Sequence, residues 1–380
     1  MSAQSLQPVD LVIWARNTRT AELLSTWFDT WAEQNAPGST LQVIPFNDGN
    51  LNNQLLTANA SDLPDIIVDV GWPLASYANA GLLQGLDGYI DTSPYDFAAL
   101  SAAQAFGSTF GIPLYSGGHT LMVINTSLVS SAPQTFDEVF ALAGQFSGSG
   151  VNALVYPIDD PNYLLPFAFG FGGEVMDASG SFTLNDAAWA SAFEFVQQLS
   201  SFVQSGCDIE CTNTQFLNGQ AAMAITDDSL LADVLQMGLS NVQVIPFPLL
   251  SNSQSPRAFI NTEFASITIN ATDAKFDAAL AFLNWVTTNP DVVLNAASEY
   301  GRLPADVSLL SDSTITSNLL LSASLDVYHS GITLPANTYI SCVWEALEST
   351  LNDVLSGSLT PQDAAAQAQQ SADQCAQSIG

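Results

Sequence analysis

The apolar positions of this chain switch repeatedly between two periods. Residues 9–14, Val-Asp-Leu-Val-Ile-Trp, form an apolar run of strand length rich in β-branched side chains. Leu24, Phe28, Trp31 and Ala32 then recur at helical spacing within residues 21–34, and Pro37-Gly38 stops the pattern. Residues 41–46 predict a second strand, 52–60 a polar helix and 65–70 a third strand, after which Gly71-Trp72-Pro73 leads into a helix ending at Gly81. This β-α-β-α-β-α rhythm predicts a parallel sheet with helices on its faces. Ligands of such sheets sit beyond the carboxyl ends of the strands, so residues 14–17, 47–50 and 69–72 are where function is expected.

The second half repeats the mixture without repeating the order. Residues 135–145 predict a helix, 153–156 a strand, 161–171 a helical stretch and 172–184 a turn-rich hairpin. Trp189, Phe193, Val196 and Leu199 share one face of a helix predicted over 186–204, and strands follow at 222–226 and 242–246. From Asn261 the chain predicts a strand, a helix over 275–288, an Asn-Pro break, another helix and the turn Gly301-Arg302-Leu303-Pro304. Residues 339–379 predict two helices separated at 357–361. A chain of 380 residues suits two domains better than one core.

Charge changes the picture. The chain has 37 acidic residues against 5 Lys and Arg, a formal net charge of -32 at pH 7, and only 11% charged residues, where roughly 25% is usual. Cations are missing more than carboxylates are added, and this balance excludes nucleic acid and anionic membrane surfaces as expected partners. Around pH 3, below the ordinary carboxyl range near 4, most of the acids would be neutral. The composition therefore suits work outside the cell in acid, a hypothesis that a stability maximum near neutral pH with unfolding at pH 3 would overturn. Drift in a secreted lineage would leave the same composition.

No apolar run approaches the roughly 18 residues of a membrane span, and the first residues lack a basic stretch followed by an apolar one. A soluble, exported chain is expected. Its four cysteines, Cys207, Cys211, Cys342 and Cys375, form an even set for which two disulfides are the natural arrangement. Cys207 with Cys211 would close a small loop, and Cys342 with Cys375 would tie the last helix to its predecessor. Zinc is the competing reading, but the spacing and the distant His residues do not suit it. No metal and no cofactor are expected.

Several segments carry a resemblance. Trp14 at the first strand end, Leu-Pro-Asp-Ile-Ile at 63–67 and Tyr-Ala-Asn-Ala-Gly-Leu-Leu at 77–83 are followed by Phe-Gly-Ile-Pro-Leu-Tyr at 110–115 and by Phe-Leu-Asn-Gly-Gln-Ala-Ala-Met at 216–223. In this order and spacing they resemble the sugar-type, maltose-binding-protein-like family of extracellular solute-binding proteins of ABC importers, with Gln220 where that family more often has Lys. The resemblance covers nearly the whole chain. It implies an α/β fold of two lobes, each a mainly parallel sheet flanked by helices, with the ligand cleft between them. The N-terminal lobe would take residues 1–112 and 262–312, and the C-terminal lobe 113–261 and 313–380. The implied function is capture of a mono- or oligosaccharide by hinge closure and delivery to the membrane permease, by a monomer that is extracellular or periplasmic and either anchored or secreted.

Sugar hydroxyls and C–H faces call for carboxylates, amides and aromatic platforms. The predicted strand ends offer Trp14, Arg16, Asn17, Asn47, Asp48, Asp69 and Trp72 in one lobe, and Tyr115 after the first crossing. The other lobe offers Asp159 and Tyr163, with Asp160 as a helix cap, then Asp227 and Asp228; the return segment adds Glu263, Tyr300 and Arg302, and a late helix adds Trp344. Each has a bland alternative: Trp14 and Trp344 as core, Arg16 balancing acids, Arg302 holding Glu299, and His119 solvated in its Gly-Gly-His-Thr loop. No nucleophile elbow, phosphate loop or Ser/Cys–His pairing points to an enzyme. Two carboxylates suffice for a glycosidase, so a secreted carbohydrate-active enzyme stays an alternative, as does the same fold binding a polyol, polyamine or peptide.

Overall fold

The computed structural model describes residues 6–46, 50–334 and 336–379. The expected alternation builds two sheets. In chain order the strands are β1 (Asp10–Ala15), β2 (Thr40–Pro45), β3 (Ile66–Val70), β4 (Ile112–Ser116), β5 (Thr120–Asn125), β6 (Asn152–Val155), β7 (Ala221–Asp227), β8 (Val242–Ile245), β9 (Glu263–Ile267) and β10 (Leu303–Pro304). The first sheet has the order β10-β4-β9-β3-β1-β2 and the second β8-β5-β7-β6. The helices that bear on function are α1 (Thr18–Asn35), α2 (Ala187–Leu199), α3 (Ile209–Leu217), α4 (Leu230–Gln236), α5 (Ala274–Thr288), α6 (Pro290–Tyr300), α7 (Leu319–Ser330), α8 (Ile340–Leu355) and α9 (Pro361–Ile379).

The sheets are mixed, and this corrects the expectation of mainly parallel ones. β1 is parallel to β2 and β3, but β9 lies antiparallel between β3 and β4, and β10 is antiparallel to β4. In the second sheet only β6 and β7 are parallel, since β5 pairs antiparallel with both β7 and β8. For β5 and β9 the cause is the crossing. A strand that arrives from the other lobe enters at the hinge edge and runs down the sheet, against the strands that lead out, and needs no crossover helix.

β4 is a full member of the first sheet, so the chain crosses after Ser116, later than its Gly-Ile-Pro motif implies. Gly118 sits at φ 56, and a Cβ there would collide with the Asn261 carbonyl of the return crossing. Only glycine suits both constraints. Asn261 N–H also donates to the Gly117 carbonyl at 3.0 Å, which ties the two crossings together. A third link passes beside them, where Phe259–Ile260 pairs parallel with Ile332–Thr333.

Each lobe has its own core. On one face of the first sheet, Phe28 and Trp31 of α1 meet Phe282 of α5 with ring centroids 5.3 and 5.5 Å apart. In the second lobe Phe136, Phe167 and Phe195 form an edge-and-tilt cluster with centroids at 4.8–5.7 Å. α8 and α9 pack on α2, and Cys342–Cys375 bonds the two terminal helices to each other. Cys207–Cys211 closes the turn into α3. No helix among the described residues is long and apolar enough to cross a membrane.

Candidate functional site

The two lobes enclose a cavity of about 820 Å³, within the roughly 300–1,000 Å³ usual for small-molecule clefts. Its first wall comes from the β1–α1 junction, where the Asn17 side chain caps α1 by accepting from Thr20 N–H at 2.8 Å. That cap holds Arg16, Asn17, Thr18 and Arg19 at the cavity. The opposite wall comes from the second lobe: Asp160, Asn162 and Tyr163 after β6, Asp208 to Leu217 on α3, and Asp227, Ser229 and Asp233 from the end of β7 into α4. Asp160 accepts from Asn162 N–H at 2.8 Å, and Asp208 caps α3 by accepting from Cys211 N–H at 2.8 Å.

Between the walls lies a buried polar network. Arg302 Nη1 donates to Asp228 Oδ1 at 3.0 Å and its Nη2 lies 3.3 Å from Glu263 Oε1. Thr20 Oγ1 donates to Glu263 Oε2 at 3.0 Å, and Gly118 N–H donates to Asp228 Oδ2 at 3.0 Å. Burial pushes the Asp228 carboxyl up to about 7 against the pull of Arg302. His119 is fully buried against it, Nδ1 at 3.6 Å from Asp228 Oδ2 and Nε2 at 3.0 Å from the Ser324 carbonyl, and burial lowers its pKa to about 4. The solvated loop expected for His119 is therefore wrong, because the crossing it occupies is sandwiched between the lobes.

The structure brings Arg16, Asn17, Tyr163, Asp227, Asp228, Glu263 and Arg302 to one cavity. Asp69 stands one step back, buried, accepting from Arg16 Nη1 at 3.0 Å, Tyr77 O–H at 2.6 Å and Val70 N–H at 2.8 Å. Desolvation raises its pKa, and its part is to aim Arg16. Trp72 and Trp344 meet each other across the lobes, ring centroids 6.1 Å apart, and Trp344 also meets Phe259 at 5.8 Å. Phe259 lines the cavity, so this aromatic group joins it at that residue.

Other expected site residues lie elsewhere. Trp14 is buried in the core against Phe46, because a strand covered on both faces has no free side. Tyr115 is buried beside Trp27, its ring turned into the α1 side of the sheet. Asp159 accepts from Gly206 N–H at 2.8 Å and is not among the lining residues, unlike its neighbour Asp160. Tyr300 ends α6 packed on the first core, and Arg302 reaches Asp228 and Glu263, not Glu299. Asn47 and Asp48 lie outside the described residues. Unforeseen members are Glu210, Asn213 and Thr214 of α3 and Asp233 of α4. Among the described residues, no group of three or more His, Cys, Asp or Glu is placed to hold a metal ion.

Known proteins resemble this chain in sequence and in overall fold. The chain is 24% identical over 320 residues, 80% of its length and 69% of the other's, to the maltotriose-binding protein of Pyrococcus abyssi. It is 24% identical over 332 residues, 81% of its length and 75% of the other's, to the maltooligosaccharide ABC transporter solute-binding lipoprotein of Streptococcus pneumoniae. Its structure superposes with TM-score 0.88 and 25% identity on the maltose/maltodextrin-binding domain MalE from Bdellovibrio bacteriovorus bound to maltotriose, covering 96% of this chain and 99% of that one. The family model of bacterial extracellular solute-binding proteins matches residues 26–322, and the chain belongs to that family.

Proposed function

We propose that this chain captures a small carbohydrate of the maltooligosaccharide class between its lobes and delivers it, chemically unchanged, to the permease subunits of an ABC importer. Closure about the three crossings would wrap the ligand, each lobe giving part of its contacts. The protein would act as a monomer outside the cell, anchored or secreted. The observation that carries this reading is the cavity itself: both lobes line it with hydroxyl, amide, carboxylate and guanidinium groups plus the rings of Tyr163 and Phe259, the groups that sugar edges and faces require.

A thermal-shift screen at pH 3 and pH 7 tests the ligand class. Maltose and maltotriose should raise Tm, since a ligand held at 100 times its Kd adds about 2.7 kcal/mol to unfolding. Spermidine is the informative control, because Glu210 and Asp227 belong to an acid-rich wall. A shift with spermidine and none with any carbohydrate would replace the sugar assignment by a cationic solute. Hydrolysis products would replace it by an enzyme.

A further inference from the structure

The five cations of this chain are Arg16, Arg19, Arg257, Lys275 and Arg302. Arg16 and Lys275 pair with Asp69 and Asp65 of their own lobe, and Arg257 donates to the Ser330 carbonyl beside the crossings. Arg302 joins Glu263 to Asp228 at the crossing itself. Arg19 differs from all of them. It leaves the first turn of α1 and spans the cleft, Nη1 donating to the Ser229 carbonyl at 2.7 Å and Nη2 to Asp233 Oδ1 at 2.9 Å.

Both ends of this contact are rigid. Arg19 projects from a turn fixed by the Asn17 cap, and the neighbouring Thr20 hydroxyl is bound to Glu263. Ser229 N–H donates to Asp227 at 2.9 Å as α4 begins. The other side of α4 is seated against the first lobe at Gly301, whose αL backbone at φ 69 carries no side chain where a Cβ would collide with Leu231. α4 therefore presents an apolar side to Gly301 and a carboxylate with a carbonyl to Arg19. Rotation about a hinge displaces atoms in proportion to their distance from it. Asp228 is hydrogen-bonded to Gly118 of the crossing and lies close to the hinge, whereas Asp233, further along α4, must part from Arg19 when the lobes open, as Leu231 must part from Gly301.

We infer that Arg19 is a clasp between the lobes: its paired bonds to Ser229 and Asp233 form only on closure and set the population of the closed form, before and after ligand arrives. The clasp rests on the solute-capture reading for its purpose. Its existence does not depend on which solute is captured. Side-chain exposures of 29% and 33% keep it weak, as a reversible catch must be. In a molecule with so few cations, one is placed where it makes closure reversible.

The test is a double-mutant cycle of Arg19→Gln and Asp233→Asn, read in two ways. Spin labels on the two lobes should report a shift of the ligand-free distance distribution toward the open form in each single variant, larger in Arg19→Gln, which loses both bonds, than in Asp233→Asn, which keeps the one to the Ser229 carbonyl, and the double should shift no further than Arg19→Gln. Maltotriose, used as the probe, should bind about threefold to tenfold more weakly to each single variant, and the double should lose no more than Arg19→Gln alone. Unchanged ligand-free distances in both single variants would overturn the clasp. So would weaker binding in Arg19→Gln alone, which would make Arg19 a ligand contact. A wild type that binds no maltooligosaccharide would defeat the proposed function, while the ligand-free distances would still decide the clasp.

Discussion

The two lobes are stitched by different chemistry. The first-sheet lobe and its return segment hold Arg16, Arg19, Lys275 and Arg302, each joined to a carboxylate, and no cysteine. The second lobe holds all four cysteines as two disulfides. In so acidic a chain a cation is scarce, and the lobe that spends its few on ion pairs places three of them, Arg16, Arg19 and Arg302, in its wall of the cleft. The covalently tied lobe leaves its cleft wall to carboxylates and amides. The polar network between the lobes should therefore respond to charge and pH, and the disulfide-tied second lobe to redox conditions.

The largest effect should come from Arg302. Arg302→Met leaves Asp228 and Glu263 buried without their cation, and breaking such a pair costs about 3–5 kcal/mol. Urea unfolding would show it, and a loss below about 1 kcal/mol, the range of exposed pairs, would mean that the network is not held by charge. Next is the Cys342–Cys375 bond, which closes a loop with a sequence separation of 33. Its removal by paired Ala substitution should cost about 2–4 kcal/mol, against less for Cys207–Cys211 with a separation of 4. Equal losses would remove the distinction between a tie across helices and a local turn.

The pH response is smaller and has a definite sign. Burial raises Asp228 from 3.8 to about 7, and Asp69 is raised too. Between those values the folded state holds more protons on Asp228 than the unfolded state, so stability falls as pH rises through the window. His119, lowered from 6.5 to about 4, acts oppositely: the unfolded state binds its proton first, so stability rises with pH from 4 to 6.5. Above 6.5 only the carboxyl effect remains, joined by self-repulsion of the net -32 charge. Tm should therefore fall from pH 6.5 to pH 8. A rise over that interval would contradict the placement of Asp228 and the acid-habitat hypothesis together.

What the sequence disclosed follows from which signals are local. The β1–α1–β2 alternation and the long helices α2, α8 and α9 have strong periods. The polar helix α3 and the short α4 have none, so Glu210, Asn213 and Asp233 escaped notice, although Asp208 three residues before Cys211 is a cap signature. Trp14 lies near the end of β1 and Trp72 just after β3, and nothing in the pattern separates a side chain facing the core from one facing a lobe, because strands covered on both faces are apolar throughout. Asp159 and Asp160 are adjacent carboxylates whose directions depend on the turn between them. His119 looked solvated among glycines, yet those glycines let two crossings pass in contact. The direction of the crossing strands could not be read at all, since it depends on the number of passages between lobes and not on any residue.

The most direct test of the central claim is isothermal titration of the wild-type protein with maltotriose, followed by analysis of the recovered sugar. The account predicts saturable one-to-one binding at pH 4 and pH 7, with the trisaccharide returned intact. No heat with any maltooligosaccharide at either pH, or the release of shorter sugars, would contradict it.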